Sequence, residues 1–177
     1  MKKTIAIISL IIVFFIIYFL QTNLFTWFTI GGVMPNLYII LVLFIGLFIG
    51  KKAGFILGIF FGLVIDFLLG KSIGISAFLL AMIGLVSEYL EKNFSKDSKL
   101  MIMLTVVIGT VFFETGYYIF QVIKWNALFE LLPFIKILLI EITFNIILTI
   151  IIYPLIQNMG NKLENIFTTK KILSKYY

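Results

Sequence analysis

The chain has 177 residues, of which 62% are hydrophobic and 12% charged, against about 45–50% apolar and about 25% charged in a soluble domain. That composition makes it an integral membrane protein, and the absence of cysteine and histidine removes disulfides, thiol and imidazole chemistry and Cys/His metal sites. Its net charge of +6 is carried by lysine alone; without arginine's planar fork, bidentate phosphate or nucleic-acid recognition is not expected.

Apolar runs long enough to cross a bilayer, roughly 17–25 residues each, are the main signal along the chain. The first is Thr4–Leu20. It follows Met1-Lys2-Lys3, but it is too long for a signal-peptide core, and Gln21-Thr22-Asn23 offers no small-residue cleavage site. We expect it to be retained as a span. The stretch Gln21–Pro35 carries no formal charge and contains Phe25, Trp27 and Phe28, the residues of an aromatic belt at the outer interface. Leu37–Gly50 and Ala53–Leu69 come next, joined only through Lys51-Lys52, which predicts a tight helical hairpin. Ile73–Leu90, Leu100–Ile123 and Phe134–Ile156 complete a single domain of six spans. The basic tail after Gln157 is expected to be a frayed or interfacial helix near anionic lipid.

Lysine placement supports this count. With the N-terminus inside, Lys2, Lys3, Lys51, Lys52, Lys92, Lys96, Lys99, Lys162, Lys170, Lys171 and Lys175 fall on the cytoplasmic side. Lys71, Lys124 and Lys136 fall outside. This is the positive-inside asymmetry, and it puts both termini in the cytoplasm.

Gly46, Gly50, Gly54, Gly58 and Gly62 are set four apart and end on Asp66. Each step of four turns a helix by about 400°, so these residues form a slowly drifting stripe. Glycine lets another helix approach backbone to backbone, which is how lipid-embedded helices associate. The spacing leaves open whether that helix belongs to this chain or to a partner.

Asp66, Glu114 and Glu141 lie within spans, with Asn145 one turn after Glu141. At similar depths in the outer half, they fit ties between helices, an outward-facing polar pocket, an ion path, or a seat for a charged partner segment. An ion path lacks titratable groups reaching the inner face, because Glu88 is interfacial and close to Lys92. No metal site is suggested, since the carboxylates are not paired within one helix. Without histidine no nucleophile–base pair can be built. Gly70-Lys71-Ser72 lacks the upstream glycine of a phosphate loop, because position 65 is Ile65. Neither an enzyme nor a cofactor is expected.

One segment carries a resemblance. Pro35-Asn36-Leu37 opens the second span and the glycine series follows through Gly62 and Asp66. Then come Gly70, Gly74-Ile75-Ser76-Ala77-Phe78 and Glu88-Tyr89-Leu90. This pattern resembles the rod-shape-determining protein MreD family, with Asn36 where many members have aspartate and Ile73 where leucine is usual. The resemblance implies a non-enzymatic scaffold in the bacterial inner membrane. Such a scaffold binds the bitopic protein MreC and links MreB filaments to a RodA-type glycosyltransferase and its transpeptidase. Pro35, Asn36, Gly54, Gly58, Gly62, Asp66 and Gly74 would then start helices, allow close approach and supply a buried polar tie. Gly46 and Gly50 would extend the same face, toward a partner or a second copy of the chain. The family is also similar in fold to the S components of energy-coupling-factor vitamin transporters. A small-molecule binder of that kind is the alternative, kept open by the outer carboxylates.

Overall fold

The computed structural model describes residues 2–70, 72–93 and 98–167. Lys71, Lys96, Lys170, Lys171 and Lys175, part of the lysine asymmetry, lie outside these residues, as do the side chains of Glu88, Tyr89, Leu90 and Lys92. The described residues form six α-helices: α1 (Lys2–Phe19), α2 (Leu37–Ile49), α3 (Lys51–Leu68), α4 (Ile75–Asn93), α5 (Lys99–Trp125) and α6 (Leu131–Phe167). A π-helical turn over Leu20–Leu24 prolongs α1. By length and composition, three helical segments are apolar enough to cross a membrane: Lys2–Leu24, Lys99–Trp125 and Leu131–Phe167.

The helix α2 is the axis of the bundle. It has no charged residue and is apolar on every side, a pattern that belongs in an interior. Every residue from Leu37 to Phe48 is buried, and α1, α3, α4, α5 and α6 all pack against it. Its 13 residues make it only about 20 Å long, shorter than a hydrocarbon core of about 30 Å. Its ends therefore need partners within the protein. The chain leaves α2 through Gly50, whose φ of 111° is open to glycine and strained for other residues. It then doubles back, so that a Cβ on Gly54 would lie 3.0 Å from the Cα of Gly46. The lysines expected as the hairpin turn are instead the first two residues of α3.

Aromatic stacking holds α1 to this hairpin. Phe14 and Phe61 lie parallel, 4.4 Å apart, and both are fully buried. At the other end of the chain, the helix that carries the expected span Phe134–Ile156 runs unbroken through Pro154 to Phe167. Ile156 and Leu163, two turns apart, both pack on the core. That contact favours a helix over a frayed end, the two forms expected for this tail. At 37 residues α6 is about 55 Å long, so one end must project from the apolar layer.

Candidate functional site

The glycine face of the hairpin is taken up by α4. A Cβ at Gly58 would lie 2.7 Å from the Leu80 carbonyl oxygen, and one at Gly54 would lie 2.8 Å from that of Gly84. Side chains at Gly46 and Gly62 would collide with Ser87 and with the backbone of Ala77. The contact is reciprocal, because a side chain on Gly84 would strike the backbone of Gly54. Small residues on α4 (Ala77, Ala81 and Gly84) thus mate with those on α3, the backbone-to-backbone packing available in lipid. Gly50 and Gly74 serve differently, as break points with φ of 111° and 100°.

Asp66 is fully buried at the end of this contact where α4 begins. Its Oδ2 accepts hydrogen bonds from the backbone N–H of Gly74, at 2.8 Å, and of Ser76, at 3.2 Å. The first N–H groups of any helix lack intrahelical acceptors, so Asp66 caps α4 from the neighbouring helix. A carboxylate there also faces the favourable end of the helix dipole.

The start of α2 is capped in the same cross-helix manner. Asn145 Oδ1 accepts from the Asn36 N–H at 2.8 Å, while its Nδ2 donates to Thr110 Oγ1 at 2.9 Å. One buried amide therefore ties α2, α5 and α6 together. Gln21 Oε1 accepts from the Leu37 N–H at 3.3 Å, and Gln21 Nε2 donates to the carbonyl of the buried Pro35. Sequence reasoning named Asn145, Pro35 and Asn36 but missed Gln21 and Thr110. Thr110 is a single hydroxyl inside a span and Gln21 opens the polar run just after one, and a buried polar group at either place needs a partner.

Asp66, Glu114 and Glu141 separate into two places. Asp66 belongs to the α3–α4 contact. Glu114 and Glu141, with Gln21 and Asn36, line a cavity of about 300 Å³ under the Gly31–Pro35 loop. Asn145 lies beside this cavity through its bond to Asn36 but is not among its lining residues. Glu114 and Ile137 also line a second cavity, of about 600 Å³, walled by Tyr117, Tyr118, Trp125 and Phe134. The two cavities adjoin at Glu114 and Ile137, the first acidic and the second largely aromatic.

A different surface opens sideways. Between α1 and α6, over α2, lies a groove of about 360 Å³ with a wholly apolar lining. Leu10, Val13 and Ile16 of α1 face Ile152, Leu155 and Met159 of α6, with Leu41 and Phe44 of α2 among the residues between them. Ile16 and Leu155 are more than half exposed at its mouth. Among the described residues no group of three or more carboxylates is placed to hold a metal ion.

No curated protein and no solved structure matches the chain. The profile of the family described as rod shape-determining protein MreD matches residues 1–159, which include the glycine hairpin, both capped helix starts, Asp66, Glu114 and Glu141. The chain therefore belongs to the rod shape-determining protein MreD family.

Proposed function

We propose that this protein is a non-enzymatic scaffold of the cell-wall elongation machinery, with six spans in the bacterial inner membrane and both termini in the cytoplasm. Family membership over residues 1–159 is the observation that carries this reading. Its partner is a bitopic protein of the MreC kind, and through it MreB, a RodA-type glycosyltransferase and the paired transpeptidase. The α1–α6 groove supports a seat for the partner's single transmembrane helix. It has no polar lining, and residues Leu37–Phe48 of α2 run beneath it for about 17 Å, some three helical turns. A helix seated there adds van der Waals contact, which lipid-embedded association depends on. A second copy of the chain is a competing occupant.

The chain has no native cysteine, so single cysteines can report proximity. Leu155→Cys and Ile16→Cys should cross-link to a bitopic protein in native membranes. Ile56→Cys, 63% exposed on α3, should not. Cross-links only between two copies would assign the groove to a homodimer. None at either position would remove the groove from the proposal while leaving the family assignment intact.

The two adjoining cavities favour a second reading, a small-molecule-binding S component of an energy-coupling-factor vitamin transporter. The family match weighs toward the scaffold.

A further inference from the structure

The hydrogen bonds that start α2 and α4 leave three buried oxygens without a partner among the described residues: Asn36 Oδ1, the Tyr38 hydroxyl and Asp66 Oδ1. Tyr38 is 6% exposed and Asp66 is fully buried. Folded proteins seldom tolerate such groups, because each has given up its bonds to water. Lipid offers no replacement.

Two of the three share a space. Asn36 and Tyr38 line a cavity of about 110 Å³, walled by Ile65 and Leu69 of α3, Leu80 of α4 and Phe113 of α5. Asp66 is not in its lining, but Ile65 beside it and Ser76, whose N–H bonds its Oδ2, both are. The cavity therefore sits where four helices meet at the start of α2. It shares Gln21, Met34 and Asn36 with the cavity under the Gly31–Pro35 loop. Gly31, Gly32 and Met34 of that loop are exposed, so solvent has a way in.

Donor and acceptor capacity decides what fits. Asn36 Oδ1 only accepts, whereas the Tyr38 hydroxyl both donates and accepts. An apolar occupant would satisfy neither group. A bare cation would meet the acceptors but leave the Tyr38 proton without one. Water has two donors and two acceptors, and it needs about 10–15 Å³ and two to four polar partners. The cavity has room for a few such molecules, and Asn36, Tyr38 and Ser76 in its lining supply polar partners.

We infer that this cavity is a binding site for structural water, a small cluster that donates to Asn36 Oδ1 and bonds the Tyr38 hydroxyl in both directions. The short helix α2 is thereby completed at its first turn by solvent as well as by Gln21 and Asn145. The inference does not depend on the scaffold reading.

The test is X-ray hydroxyl-radical footprinting of the full chain in phosphatidylcholine nanodiscs. Irradiation splits bound water, and the radicals oxidise the side chains beside it, which mass spectrometry then locates. Tyr38 and Phe113 should be oxidised, whereas Phe61, fully buried and stacked on Phe14, should not. Tyr38 and Phe113 as inert as Phe61 would show a dry cavity and overturn the proposal. A second measurement reads the hydroxyl itself. Tyr38→Phe should lower the melting temperature or leave it unchanged, since the group it removes is bonded to water. A higher melting temperature would mean that the hydroxyl had been buried unsatisfied, and would equally overturn the proposal.

Discussion

Asp66 and Gly74 are eight residues apart, and they meet because Gly74, at φ 100°, turns the chain so that the N–H groups opening α4 point back at α3. The pairing yields a graded expectation. Asp66→Asn keeps an acceptor oxygen and gives up the charge beside the helix N-terminus, a loss of about 1 kcal/mol. Asp66→Leu strands the N–H groups of Gly74 and Ser76 in an apolar interior, at about 1–3 kcal/mol each. Thermal unfolding in detergent should therefore rank wild type, Asn and Leu in that order. Equal damage from both substitutions would make the charge itself the requirement. Asn145→Leu should resemble Asp66→Leu, because it leaves the Asn36 N–H without its acceptor and Thr110 without its buried donor.

At the scale of elements, the decisive contact is α3 against α4. Gly58→Leu places a side chain where 2.7 Å separates a Cβ from the Leu80 carbonyl oxygen. Backbone cannot give way as a flexible side chain can, so the cost should exceed the 1–3 kcal/mol usual for overpacking, about 3 kcal/mol or more. Even Gly62→Ala should lower the melting temperature measurably, since its methyl would meet the backbone of Ala77. Ile56→Ala, on the exposed side of the same helix, serves as the neutral control. A Gly58→Leu protein as stable as wild type would remove the close contact from this account. The spacing of four made the glycine face legible in the sequence, because helical period is a local property. It does not name a neighbour, but Ala77, Ala81 and Gly84 carried a matching small-residue signal on α4. Gln21 and Thr110 had no periodic signature, since each acts alone on a backbone or amide group brought near by the fold. A polar, basic tail after Gln157 left a frayed end and a helix both open, and the packing of Leu163 on the core favours the helix.

For the whole molecule, six hydrophobic runs, one of them apolar on every side, were enough to specify a helical membrane bundle. The lateral groove was not legible, because it is a space left between helices far apart in sequence, and a polar pocket was only one of several readings open to the carboxylates. Glu114 and Glu141 were recognisable as costly inside a membrane. That they share a cavity and leave Asp66 to a separate capping role follows from how α3, α5 and α6 are placed around α2. The central claim is attachment: a member of the MreD family acting as a scaffold. Its most direct test is purification of the tagged protein from native membranes in mild detergent, with the co-purifying proteins identified by mass spectrometry. The account predicts a bitopic MreC-like protein together with cell-wall synthases. Recovery of a pair of ATPases with a membrane coupling subunit would contradict it.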